Sequence, residues 1–329
     1  LGDVYKRQGN KIRKYDTWHA MGQGATTGSL VVTLEALKEM HLTPEDIQLI
    51  QNDTKTCPDT GMAGASRSLY MDGNATIIAA NKLLAAMRKE DGTLRTYDEM
   101  KAEGIETKYL GRYETNTTPG LCRLDPNTGI GDPTPAFTYC LNLAEVEVDT
   151  KTGKTTVLKF TCVDFVGRIG NIDAVNGQAY SGIMHGIGFA LKEDYADVKK
   201  HANMFGAGTS YIKDVPDDIN LIHIDGAISD GPFGSSGASE AFQASGHCAV
   251  LNGIYNACGV RIHEIPALPE KVKAGLDAIA KGEKPYEPKK YFLGSDMYEE
   301  LENIKENPVQ VGTQSFYVSL DDPTAERPF

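Results

Sequence analysis

The chain has 329 residues, 40% hydrophobic and 24% charged, with a formal net charge of -12. That is ordinary globular composition, enough for one large domain or two of usual size with a buried core. No block of Lys and Arg occurs, which excludes the clustered basic surface that nucleic-acid binding needs, and no apolar run approaches the roughly 18 residues of a membrane span.

Residues 1–8, LGDVYKRQ, show no periodicity and no cap leading into residue 9 and beyond, so they read as an extraneous or cut end outside the fold. No signal peptide pattern is visible. Leu30, Leu34, Leu37 and Met40 lie at helical spacing within residues 27–40. Thr43 then caps a short turn with Pro44 and Glu45 at its first positions. IQLIQND reads as a strand, and residues 66–88 as a long helix opening on a Gly-Ala-Ser turn.

Residues 92–120 are polar and read as an insertion with a short helix near Tyr97–Gly104. Residues 144–160 alternate across a polar, glycine-bearing turn from Asp149 to Lys154, the pattern of a β-hairpin. Residues 172–192 form a helix rich in Gly and Ala, whose small side chains admit close approach by another helix or a ligand. Residues 247–258 form a further helix ended by Gly259. A short strand, a proline-marked turn and a final helix run on from Val260. The charged, Pro-rich residues 283–329 read as a partly irregular C-terminal extension in which MYEELENI has helical character. Helices and antiparallel strands mix without regular βαβ alternation, so the fold class is α+β in two mixed subdomains, with the main domain over residues 9–282.

Six cysteines, Cys57, Cys122, Cys140, Cys162, Cys248 and Cys258, form no C-x-x-C pair. They read as reduced, mostly buried thiols of a cytoplasmic protein. His19, His41, His201, His223, His247 and His263 offer no ligand-spaced pair and read as structural or surface residues.

Four glycine-bearing stretches sit at or near predicted helix starts: MGQGATTG (21–28), GMAGASRS (61–68), NGQAYSG (176–182) and GPFGSSGASE (231–240). A helix start offers unbonded N–H groups and partial positive charge, and glycine lets an anion come close. Together such loops cradle a phosphorylated ligand without a basic patch. None is a P-loop or a dinucleotide fingerprint, and each taken singly is weak. Arg67 is a candidate phosphate partner. Glu240 comes after a flexible run and precedes an apolar pair; held in a dry pocket it has the raised pKa of a base, whereas at a helix start it can simply satisfy amides.

In order and spacing these stretches, with FGAGTSYIKDVPDDI and IYNACGVRIHEIPALPEKV, resemble the xanthine dehydrogenase/aldehyde oxidase family of molybdenum hydroxylases, and within it the bacterial molybdenum–iron–sulfur aldehyde oxidoreductases. The likeness runs from about Asp16 to Val272. It implies the C-terminal half of a molybdopterin-binding subunit, with the cofactor in its cytosine dinucleotide form. It places cofactor contacts at Gly22, Gln23, Gly24 and Ala25, at Gly64, Ala65, Ser66 and Arg67, and at Gly177, Gln178, Ala179 and Tyr180. His185 stands where the family has Gln and is likewise placed as a cofactor contact, and Glu240 is the base beside the metal, to which no protein ligand is expected.

The implied reaction is oxidation of an aldehyde to a carboxylic acid with water as oxygen source. Hydroxylation of purines or other N-heterocycles is the alternative, and a non-catalytic module of the same fold a second one. Implied partners are the N-terminal half of the subunit, iron–sulfur domains or a subunit with 2Fe-2S clusters, a flavin subunit where one is used, and a small aldehyde or N-heterocycle. Ser239 replaces a family glycine, which restricts the backbone beside Glu240.

Overall fold

The computed structural model describes residues 2–8, 11–59, 61–114, 125, 130, 131, 134, 136–197, 199–228 and 230–283. The expected extension from 284 to 329 and its helix lie outside the described residues, as does the end of the insertion at 115–120.

The first subdomain is a four-stranded sheet in the order β3-β2-β1-β4, built from β1 (Gly2–Gln8), β2 (Lys11–Asp16), β3 (Ile47–Gln51) and β4 (Lys108–Arg112). Against it pack α1 (Ala25–Ala36) and α2 (Arg67–Met87), with α3 (Tyr97–Ala102) between α2 and β4. Segment 1–8, set outside the fold by sequence, therefore supplies a sheet strand over Gly2–Gln8, and the polar insertion supplies β4 as well as its short helix. The core lies where Ala79, Ala80, Leu83, Leu84 and Met87 of α2 meet Ile12, Leu37, Ile47 and Met100. Gly111 is needed for this fit, because a Cβ there would stand 2.0 Å from the Ala75 carbonyl oxygen. The turn Pro44–Asp46 opens on a capping box, with the Asp46 carboxylate accepting from the Thr43 amide at 2.9 Å.

The second subdomain is a three-stranded sheet, β5-β6-β7, from β5 (Tyr139–Val148), β6 (Thr155–Phe165) and β7 (Asp218–His223). The predicted hairpin is present, longer at both ends and bulged between Glu145 and Val146. Its one packed face is covered by α4 (Ile172–Leu191) and α6 (Gly246–Cys258), with α5 (Ser239–Ala244) against α4. Phe160, Cys162, Ile183, Ile187, Phe242 and Val250 form the core. The Gly and Ala content of α4 resolves mainly as helix-to-helix contact: a Cβ on Gly182 would meet Phe242 at 2.6 Å, and one on Gly186 would meet the Cα of Gly246 at 2.9 Å. Gly259 ends α6 at φ 77, as its position predicts, and Pro269 opens α7 (Pro269–Ala280). The short strand expected from Val260 does not form; Val260 instead packs with Ile254, Ala267 and Val272 between α6 and α7.

The two halves share one plan. An antiparallel pair (β1-β2; β5-β6) runs into a helix (α1; α4), then into a strand parallel to the second of the pair (β3; β7), then into a further helix (α2; α5 and α6). Each half thus holds one βαβ crossover, which corrects the expectation of antiparallel strands alone. The repeat is not visible as a sequence period.

Candidate functional site

Between the subdomains lies a cleft of about 970 Å³. Its walls are four loop-to-helix junctions, two from each half, in equivalent places of the shared plan: before α1 (Gln23, Gly24), before α2 (Gly64, Ser66), before α4 (Arg168 to Asn171) and before α5 (Ser235 to Glu240). Trp18 and Phe233 add aromatic surface.

Local geometry leaves backbone donors at these junctions. Gly24 is the N-cap of α1 at φ 86 and Ser66 that of α2 at φ 52; neither gives its helix a side-chain cap, and neither first turn holds an acidic residue. First-turn N–H groups without a side-chain acceptor and uncompensated helix dipoles result, although the Arg67 amide turns back to the Gly64 carbonyl at 3.3 Å. The loop before α2 is unusual in placing two successive non-glycine residues, Ala65 (φ 55) and Ser66 (φ 52), in the left-handed region, a conformation that costs roughly 1–3 kcal/mol per residue. Gln23 braces the first loop: its Oε1 accepts from the Met21 amide at 2.5 Å and its Nε2 donates to the His19 carbonyl at 2.7 Å. At α4 the Asn171 side chain caps the Ala174 amide at 3.0 Å. Arg67 and Arg168 stand in the lining with no ion pair among the described residues.

The two halves touch at Glu240. Its amide donates to Ser66 Oγ at 3.4 Å, and Gly237 presses so closely that a Cβ there would lie 1.9 Å from the Ser66 carbonyl oxygen. The serine at 239 is accommodated, since it begins α5 and is absent from the positive-φ positions. Glu240 lines the cleft but is exposed at its edge, so these residues alone do not supply the dry pocket expected of a base.

Of the residues singled out by sequence, Gln23, Gly24, Ala25, Gly64, Ser66, Arg67, Gln178 and Glu240 line the cleft together. Gly22 and Ala65 sit on the same loops just outside the lining. Gly177, Ala179, Tyr180 and His185 do not line it: Ala179 is core, Tyr180 is half-exposed, and His185 Nδ1 lies 3.3 Å from Gln243 Nε2 on α5. Sequence reading missed the junction Arg168-Ile169-Gly170-Asn171, whose signal was an Asn before a helix and a glycine beside it.

Beneath the walls lie two buried polar clusters that sequence reading did not find. Lys14 and Asp16, both 0% exposed, pair at 3.0 Å at the end of β2. Asp16 also accepts from Ser29 Oγ of α1 at 2.5 Å and Gln51 Nε2 of β3 at 2.7 Å, while Lys14 donates to Ser29 and to Thr76 of α2. In the second half, buried Asp164 at the end of β6 bonds His223 Nδ1 at 2.7 Å, and His223 Nε2 bonds Asn176 Oδ1 of α4 at 2.8 Å. Burial pushes the Asp164 carboxyl up and the His223 bond opposes it. Of the five described cysteines only Cys162 is buried; its sulfur lies 3.4 Å from that of Cys140, and this contact with burial pushes the Cys162 thiol well up.

Residues 7–216 match the family model described as a molybdopterin cofactor-binding domain. The chain belongs to the molybdopterin cofactor-binding domain family. This domain is 42% identical over 267 residues to an aldehyde oxidoreductase of Megalodesulfovibrio gigas, covering 81% of the chain and 29% of that relative. It is 28% identical over 277 residues to a probable hypoxanthine oxidase of Escherichia coli, covering 79% of the chain and 29% of the relative. Among solved structures, the aldehyde oxidoreductase from Desulfovibrio desulfuricans superposes with TM-score 0.79 at 43% identity, over 83% of this chain and 30% of that one. The molybdopterin-binding domain thus spans under a third of the length of these relatives. No helix among its described residues is long and apolar enough to cross a membrane.

Proposed function

We propose that the chain grips the phosphates of a molybdopterin, in its cytosine dinucleotide form, with the four helix starts around the cleft, as part of a larger molybdenum hydroxylase of the aldehyde oxidoreductase type. The observation that carries this reading is the uncapped, acid-free first turns of α1 and α2 facing one cleft, with Arg67 beside them. These are donors waiting for an anion. The backbone at Gly22 has open space where a side chain would otherwise stand, which fits close approach of a bulky group.

When bound, the molybdenum cofactor supplies the oxidation and the oxygen delivery that turn an aldehyde into a carboxylic acid, with water as oxygen source. The chain's own residues bind, orient and move a proton. Amides at the starts of α1 and α2 and the Arg67 guanidinium hold phosphate charge. Glu240, tethered to Ser66 through its own amide, takes up the proton at its carboxylate. The remaining length of such an enzyme, including an N-terminal half that closes the cleft and 2Fe-2S clusters that carry electrons away, lies on other domains or subunits. Covering by that half also supplies the dryness Glu240 lacks here.

Gln23→Ala and Arg67→Ala lower molybdenum content in the purified intact enzyme, whereas Glu240→Gln keeps the metal and abolishes turnover. Full metal retention in both cradle variants, or surviving activity in the third, overturns the assignment. The likeness to a probable hypoxanthine oxidase favours a second substrate class, N-heterocycles, and comparing benzaldehyde with hypoxanthine turnover separates the two.

A further inference from the structure

The two buried clusters occupy matching places in the repeated plan. Asp16 is the last residue, and Asp164 the last but one, of the first strand of a βαβ unit. Gln51 and His223 are their register partners on the parallel strand. Ser29 and Asn176 are each the fifth residue of the next helix, α1 from Ala25 and α4 from Ile172. Both clusters therefore fasten the first turns of a helix whose start faces the cleft.

They differ in the cation. In the first half Asp16 is balanced by Lys14, two residues earlier on the same strand. That ammonium is also held by the hydroxyls of Ser29 and Thr76. In the second half the position two residues before Asp164 is Cys162, which offers no positive charge, and the group facing the carboxylate is the imidazole of His223, whose side chain is 14% exposed. Imidazole changes charge close to neutral pH. Asp164 Oδ1 is buried with no hydrogen-bond partner among the described residues, so this carboxylate leans on a single partner.

We propose that His223 is a proton-operated positioning residue: its protonation locks the start of α4 against β6 and so sets how firmly that wall of the cleft is held, while α1 is held by a lysine–aspartate pair instead.

As imidazolium, His223 donates from both ring nitrogens, to Asp164 and to Asn176 at once. As neutral imidazole it donates from one only. With the proton on Nδ1 the Asp164 contact stays and the Asn176 contact survives only if that amide turns round; with it on Nε2 the Asn176 contact stays and Nδ1 turns a lone pair toward the carboxylate, so Asp164 loses its counter-charge in either tautomer. A buried carboxylate without a cation is costly, so the junction loosens. Among the described residues the titratable groups around this site are these. Asp164 faces His223 from β6. From α4 the neighbour is the neutral Asn176, with Asp173 exposed on the first turn. The thiols of Cys140 (β5) and Cys162 (β6) lie beside Asp164, and Asp225 is exposed after β7. Burial raising the Asp164 carboxyl, against the opposing pull of His223, is consistent with that dependence.

The test is amide hydrogen exchange on the full-length, cofactor-loaded enzyme, corrected for the intrinsic pH dependence of exchange, compared between about pH 5.5 and about pH 8 across the histidine range. The expected result is a loss of protection of about tenfold at amides 174–178 of α4 at the higher pH, with amides 27–31 of α1 unchanged. His223→Gln and Asp164→Asn each abolish the difference between the two pH values. Equal protection of α4 at both pH values in the parent enzyme overturns the proposal. So does a parallel change at α1, or a pH response that survives His223→Gln. The comparison of α4 with α1 in the parent decides the matter even if a variant fails to fold, and it is independent of whether the bound group is a molybdopterin, which metal analysis reports separately.

Discussion

Lys14→Met removes the cation from a pair in which both side chains are fully buried. Breaking such a pair from one side leaves an uncompensated charge and costs about 3–5 kcal/mol. Here Asp16 keeps Ser29 Oγ, Gln51 Nε2 and the Trp18 amide as neutral donors, at 2.5, 2.7 and 3.3 Å, which places the cost at the lower end, about 3 kcal/mol. At about 2–4 °C per kcal/mol for a domain of this size, the melting midpoint falls by about 6 °C or more. Trp18 is the chain's one tryptophan and lies 5.5 Å from the Lys14 ammonium, so its fluorescence reports the transition from beside the perturbed pair. Lys14→Met combined with Asp16→Leu removes both charges and recovers a large part of the loss. A single variant melting within about 2 °C of the parent, or a double variant no better than the single, refutes the view that this ion pair holds β2, α1 and α2 together.

Gly237→Ala drives a methyl into the Ser66 carbonyl, 1.9 Å from the ideal Cβ position, so the loops bearing Ser66 and Glu240 must separate. Overpacking of this kind costs about 1–3 kcal/mol, and metal content measured on the purified enzyme falls with it. Phe242→Ala empties a fully buried site against α4 and destabilises by about 3–5 kcal/mol in denaturant unfolding. The Glu99 carboxyl, held by Lys89 and then by the Thr96 amide and hydroxyl, is pulled down to about 2. Because its folded pKa is depressed, its contribution is present above the ordinary glutamate range and is lost as pH falls toward 2. A carbon-detected NMR titration sees that low midpoint, and Lys89→Met moves it up.

The helices α1, α2, α4 and α6 were legible because their apolar spacing or their caps come from local chemistry. The hairpin was legible because β5 and β6 alternate. Strand β2 was not, because its buried face carries Lys14 and Asp16, which by residue type belong outside and are tolerated only through partners contributed by three other elements. β7 is six residues long and α5 likewise, too short for a periodic signal. The residues from Val260 looked like a strand by composition but were claimed by packing between two helices. Glycine stretches and Glu240 stood out singly, yet their convergence depends on a doubled plan whose halves share roles without sharing residues. Asp16 with Lys14 and Asp164 with His223 do the same work with different side chains, and the loop at Arg168 to Asn171 becomes conspicuous only as the counterpart of the loop at Gln23 and Gly24.

The most direct test of the account is a structure of the cofactor-loaded enzyme containing this chain. The account predicts the phosphates of the bound group within hydrogen-bond distance of the backbone amides at the starts of α1 and α2, with the Glu240 carboxyl turned toward the metal. Phosphates bound away from both helix starts, with the cleft between the two halves filled by another part of the protein, would contradict it.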